Sequence, residues 1–233
     1  TGEVRQSMPP FIIFDLDDTL YAERDFAVSA FTAIGQEAET TWGVHGLADE
    51  MTRLLDAGHL GSLFAAVMET HLAHVPKAEA GGLLQRYRDH RPPQLDLHDD
   101  AAAVLEELAS RCRLGLITDG HAATQAAKVD ALGIARRFEE IIYTGGLGPD
   151  RAFHKPHPRA FELMASALAA PHGDLVYVGD NPAKDFVAPN ALGWRTVQVV
   201  RPARIHAGAA EAEGGAPQHR IDSLDALVDL LKS

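Results

Sequence analysis

Basic residues are in the minority: 21 lysines and arginines face 33 aspartates and glutamates, a formal charge of −12 over 233 residues. That balance argues against general binding to nucleic acid polymers or anionic membranes, so attraction for an anionic substrate has to be local. Cysteine is almost absent. The single Cys112 rules out an intramolecular disulfide, fits a reducing compartment and reads as a small core residue. No apolar run approaches the roughly 20 residues of a membrane span, and the N-terminal stretch lacks the apolar centre of a signal peptide. The expected address is the cytoplasm. A polar leader, TGEVRQS at 1–7, is expected to be flexible and either dispensable or vector-derived.

Aromatics supply only 6% of the chain, but apolar residues together reach 46%, an ordinary globular composition. The length suits one large domain, or one domain with a smaller insertion. Five short apolar runs read as strands: FIIFD at 11–15, RLGLIT at 113–118, EIIYTG at 140–145, LVYVGD at 175–180 and TVQVV at 196–200. Their lack of alternation suggests a parallel sheet covered on both faces, and the amphipathic stretches between them complete a β-α-β-α order. Residues 121–132 read as a helix stopped by Gly133, and another helix starts at Pro158 with Phe161, Met164 and Leu168 at helical spacing. The expected fold is α/β, a doubly wound parallel sheet.

One region departs from that order. From Tyr21 to Pro93 no strand is convincing, and four helical patterns follow one another: Phe31/Ile34/Ala38/Trp42, Met51/Leu54/Leu55, Leu63/Phe64/Val67/Met68/Leu72 and Leu83/Leu84/Tyr87. This predicts an all-helical insertion after the first strand, 21–93, in a core formed by 8–20 and 94–233. It closes on RPPQ at 91–94, a stiff exit suited to a hinge. The tract at 206–219, rich in Ala, Gly and Glu, reads as an exposed loop.

In an open parallel sheet ligands bind beyond the carboxyl ends of the strands, and those ends share one chemistry here. The first run closes on Asp15 with Asp17, Asp18 and Thr19 behind it, the second on Thr118, Asp119 and Gly120, and the fourth on Asp180 with Asp185 five residues later. Lys155 lies in HKPHP, in the loop after the third. Adjacent carboxylates repel unless a cation compensates, and hard oxygen donors without cysteine point to Mg²⁺. The 12 histidines are scattered without zinc spacing. One division of labour makes Asp15 a nucleophile on phosphorus and Asp17 the acid for the leaving oxygen, then the base for water. Thr118 would donate to a phosphoryl oxygen, Lys155 would stabilise transition-state charge, and backbone N–H groups at Asp119 and Gly120 would complete an anion cradle.

DLDDTL at 15–20, LITDG at 116–120, HKPHP at 154–158 and VGDNPAKD at 178–185 together resemble the four motifs of the haloacid dehalogenase superfamily, in order. The resemblance implies a Rossmann-like core with a C1-type helical cap after the first strand. It also implies Mg²⁺ held by the Asp15 carboxylate, the Asp17 main-chain carbonyl and Asp180, with Asp185 a metal-shell or lysine-orienting residue. Asp17 favours phosphate ester hydrolysis, because the superfamily's dehalogenases lack that second acid. Asp119 stands where many capped relatives have Asn. The implied activity is a cytoplasmic phosphatase for a small phosphorylated metabolite, a sugar phosphate or nucleoside monophosphate. Residues 118–134 resemble phosphatases of nucleoside monophosphates or acyl-sugar phosphates. The alternatives are a phosphomutase using the same site, a receiver-type signalling domain, and a silent binding protein on this fold. Asp18 is expected to face away from the metal and cap the turn. His154 and His157 read as loop and helix-start residues, and Glu23 and Arg24 either reach the substrate or form a surface ion pair.

Overall fold

The computed structural model describes residues 11–59 and 61–232, so the expected leader lies outside the described residues. Six parallel strands form one sheet in the order β3-β2-β1-β4-β5-β6: β1 Phe11–Phe14, β2 Arg113–Thr118, β3 Glu140–Tyr143, β4 Leu175–Gly179, β5 Arg195–Val199 and β6 His219–Ile221. Five of these match the apolar runs read from the sequence. The sixth is new: its three residues follow the expected loop, and His219 and Arg220 are exposed.

The pleat divides the strand side chains between two cores. Ile12 and Phe14 join Leu114, Leu116, Val176, Val178, Val197 and Val199 on one face. Phe11 and Ile13 join Ile117, Leu175 and Tyr177 on the other. Both faces are covered, which is why the runs show no alternation.

Between β1 and β2 come α1 Glu23–Trp42, α2 Leu47–Asp56, α3 Leu63–Thr70, α4 Lys77–Ala80, α5 Leu83–Asp89 and α6 Asp99–Ala109. The sequence shows α1, α2, α3 and α5 through their periodicity; α4 is a single turn, too short to carry one. The first five helices pack around a cluster of their own that includes Phe31, Ile34, Met51, Leu55 and Val67. Phe26 of α1 belongs instead to the cluster of the sheet, where its ring meets Tyr87 edge-on at 5.3 Å. Burying one such side chain contributes about 1.5–3 kcal/mol, and here it seats the helical layer on the sheet. Residues 90–98 run without helix from α5 to α6.

The remaining helices are α7 Ala122–Ala131, α8 Arg159–Ala167, α9 Val187–Ala191 and α10 Asp225–Lys232. Gly133, two residues beyond α7, has φ +67, a conformation glycine adopts without steric penalty. No helix among the described residues is long and apolar enough to cross a membrane.

Candidate active site

The strand order turns back between β1 and β4, and at such a switch point the chain leaves a crevice beyond the strand ends. Asp15 and Asp180 are the residues that follow those two strands. The Asp15 N–H donates to Val178 O at 2.8 Å, which extends the pairing of β1 by one residue and fixes its carboxylate at the crevice.

Three buried carboxylates meet there. Oxygens of Asp15, Asp180 and Asp185 lie within 4.8 Å of one another. Lys155 Nζ stands 2.7 Å from Asp15 Oδ1 and 2.8 Å from Asp185 Oδ1, and donates to Tyr177 Oη at 2.9 Å. Asp185 Oδ2 accepts from the Asn181 N–H at 2.8 Å. Asp180 Oδ2 is buried without a hydrogen-bond donor among the described residues, where its ion-pair partner is Arg204 Nε at 3.9 Å. Burial pushes the Asp15 carboxyl up to about 7, with Lys155 opposing and Asp185 adding to the rise. Burial, then Asp185 and Asp15, raise the Asp180 carboxyl well above its ordinary range. Lys155 pairs with two of the three carboxylates and leaves Asp180, and an all-oxygen donor set with an unmatched buried oxygen fits a hard divalent cation.

Asp17 belongs to a different network. Tyr21 Oη donates to its Oδ1 at 2.6 Å, Lys128 Nζ lies 2.7 Å from the same atom, and Gln125 Nε2 donates to Oδ2 at 2.7 Å. Burial favours its neutral form, but Lys128 and these hydrogen bonds outweigh it and hold the carboxyl below its ordinary value. Gln125 Nε2 also donates to Thr118 Oγ1 at 2.6 Å, which ties the end of β2 to Asp17.

Asp119 accepts from Thr144 Oγ1 at 2.8 Å and from the Lys155 N–H at 3.1 Å, with Lys184 Nζ at 3.2 Å. Burial would raise its carboxyl, but Lys155 and Lys184 prevail and bring it down to about 2. Gly120 turns the chain at φ +126, where a Cβ would stand 3.0 Å from Gln125 Oε1.

Two adjoining cavities receive these groups. The smaller, about 450 Å³, is lined by Asp15, Lys155, Asp180 and Lys184. The larger, about 680 Å³, is lined by Glu23, Tyr87, Arg88, His121, Lys128 and Arg151, among others. Asp17, Glu23, Asp119, Gly120, Arg151 and His154 border both.

The sequence pattern of the haloacid dehalogenase-like hydrolases matches residues 11–193. The chain belongs to that family. A glyceraldehyde 3-phosphate phosphatase of Pyrococcus abyssi is 33% identical over 197 residues, covering 80% of this chain and 79% of that protein. Another, from Methanopyrus kandleri, is 26% identical and covers 95% and 96%. These relatives place the chain in the phosphatase branch of the family. A putative HAD hydrolase of Bacillus subtilis, solved with magnesium bound, shares the fold with a TM-score of 0.74 at 18% identity, covering 97% of this chain and 99% of that one.

Within this member of the family, several polar residues at the site had no role in the sequence reading. Gln125 and Lys128 are buried on α7, three residues apart among alanines. Lys184 lies inside VGDNPAKD, a stretch read only for its aspartates. The expected bystander Asp18 accepts from the Glu23 N–H at 3.0 Å and the Ile205 N–H at 2.7 Å from a left-handed φ of +55. The pair Glu23 and Arg24 divides: Glu23 lines the cavities, whereas Arg24 pairs with Asp56 at 2.7 Å. His157 Nδ1 accepts from the Arg159 N–H at 3.1 Å at the start of α8, and His154 is half-buried at the site.

Proposed function

We propose that the chain hydrolyses phosphate monoesters of small metabolites through an aspartyl-phosphate on Asp15. The reading is carried by the separation of two carboxylates only two positions apart: Asp15 faces Lys155, while Asp17 faces Lys128 and Gln125. Such a division suits a nucleophile and a proton carrier.

In the first step an Asp15 carboxylate oxygen bonds to phosphorus, and the ester oxygen leaves with a proton from Asp17. Water then loses a proton to Asp17 and attacks phosphorus, releasing inorganic phosphate and restoring the Asp15 carboxylate. Thr118 and the N–H groups at Asp119 and Gly120 hold phosphoryl oxygens, and Lys155 stabilises their charge. Mg²⁺ would be held by the Asp15 and Asp180 carboxylates and the Asp17 main-chain carbonyl, with Asp185 orienting Lys155 and bordering the ion. When bound, it reduces the repulsion between a carboxylate and a phosphate dianion. Residues 21–93 act as a cap over the core that carries the strand ends, and Glu23, Tyr87 and Arg88 bring cap residues to the larger cavity. A covered site of this size suits a small molecule and limits water during the first step.

The test is phosphate release from a panel of sugar phosphates and nucleotides with Mg²⁺. Release is expected to vanish with EDTA and in Asp15→Asn. Activity that persists in either case contradicts the mechanism.

A further inference from the structure

The larger cavity holds two cations that the chain itself leaves unmatched. Lys128 is balanced by Asp17. Nearby arginines are likewise satisfied: Arg86 pairs with Glu37 at 3.0 Å, and Arg91 Nη1 donates to main-chain carbonyls of residues 88–90. By contrast, the guanidinium groups of Arg88 and Arg151 make no hydrogen bond or ion pair with any described residue, yet both line the cavity.

Arg88 is not a loose surface chain, whereas Arg151 is exposed on the wall that the two cavities share. Arg88 is half-buried near the end of α5, and its carbonyl accepts from Thr124 Oγ1 of α7 at 2.8 Å, which locks the main chain beside the core. Arg151 borders both cavities, so it stands between the phosphate end and the leaving-group end. It has φ +60 and follows Asp150 at φ +51. Left-handed backbone at a non-glycine residue is unfavourable, so two in succession mark a loop whose course its surroundings impose. The Asp150 carboxylate is exposed at the same wall and bonds to neither arginine.

A half-buried guanidinium such as that of Arg88 is costly without an anion, and both groups line the cavity. In the proposed reaction the phosphate being cleaved is met at the other end, by Lys155. We propose that Arg88 and Arg151 are specificity-determining residues for a second anionic group, so that the substrates are phosphate monoesters whose leaving group carries a carboxylate or another phosphate. The planar guanidinium fork suits either anion. This assignment rests on the phosphatase reading and narrows it.

Two matched substrate pairs test it: 3-phosphoglycerate against glycerol 3-phosphate, and fructose 1,6-bisphosphate against fructose 6-phosphate. In at least one pair the second anion is expected to raise kcat/KM tenfold or more. Arg88→Gln and Arg151→Gln are each expected to reduce that ratio by about tenfold to hundredfold, mainly through KM, with circular dichroism unchanged. The favoured pair identifies the anion. Equal kcat/KM within both pairs, or a preference that survives both substitutions, overturns the assignment. Calorimetric binding of the same four compounds to Asp15→Asn separates the two readings. Absence of turnover with selective binding that disappears in Asp15→Asn/Arg88→Gln contradicts the phosphatase reading alone, and unselective binding contradicts the subsite.

Discussion

Lys128 Nζ lies 2.7 Å from Asp17 Oδ1, joining α7 to the loop after β1 across 111 positions of sequence. The same ammonium stands 4.7 Å from the centroid of the Phe26 ring, so α1 also helps to hold it. A cation this close favours the ionised carboxylate, whereas the proposed first step needs Asp17 to carry a proton. In the proposed mechanism Lys128 therefore sets how readily Asp17 serves as the acid.

Lys128→Met keeps much of the stem and removes the charge. With the cation gone the Asp17 pKa rises, and its protonated form persists to higher pH. The alkaline limb of kcat/KM, which reports loss of that proton in the free enzyme, is expected to move upward. Lys128→Arg should leave the limb near its original position. A limb that stays put in Lys128→Met, or moves down, separates Lys128 from the proton transfer. The rate penalty should be smaller for p-nitrophenyl phosphate, whose leaving group needs little protonation.

On the proposed reading, in which Asp15 and Asp180 hold Mg²⁺ beside Asp185, stability depends on the ion. Burial and mutual repulsion raise Asp15 and Asp180, and a cation that binds only the folded chain stabilises it by mass action. Mg²⁺ at a hundred times its dissociation constant contributes about 2.7 kcal/mol, which raises Tm by roughly 5–10 °C for a chain of this size. Asp180→Asn should abolish most of that rise. In EDTA the same variant should melt no lower than the wild type, because it removes a buried charge whose Oδ2 has no donor. Scanning calorimetry with and without MgCl₂ decides the point; an undiminished Mg²⁺ shift in Asp180→Asn excludes Asp180 as a ligand.

Residues at strand ends were the most legible part of this chain. An apolar run fixes where a strand stops, and the chemistry just beyond it then stands out, as with Asp15, Thr118 and Asp180. Lys155 was legible only through its motif, since a lone lysine in a loop carries no periodic signal. Gln125 and Lys128 were hidden for another reason: on an alanine-rich helix, polar residues three apart read as a solvated face until the partner surface is known. What they face is Asp17 and Thr118, more than a hundred positions away in one case and seven in the other. β6 and α4 escaped because three or four residues do not establish a period. The other helices between Glu23 and Asp89 were legible because their apolar residues recur at helical spacing.

Asp100 supplies a test of acid stability outside the crevice. It sits in the first turn of α6, where its carboxylate accepts from Arg201 at 2.7 and 3.0 Å, from Ser223 Oγ at 3.0 Å and from the Leu224 N–H at 2.8 Å. Burial works against the ionised form, but the Arg201, Leu224 and Ser223 contacts prevail and bring the carboxyl down to about 2. Because the folded pKa lies below the unfolded value of about 3.9, this stability is present above roughly pH 4 and lost as pH falls towards 2. Asp100→Asn is accordingly expected to cost about 1–3 kcal/mol at pH 7, with the gap to wild type closing between pH 4 and 2. Urea unfolding across that range measures it, and a gap independent of pH assigns the loss to geometry instead of charge. Arg201 also donates to the Thr19 carbonyl at 2.9 Å. The same variant therefore loosens the support of the loop that follows Asp15, and its kcat should fall while it remains folded.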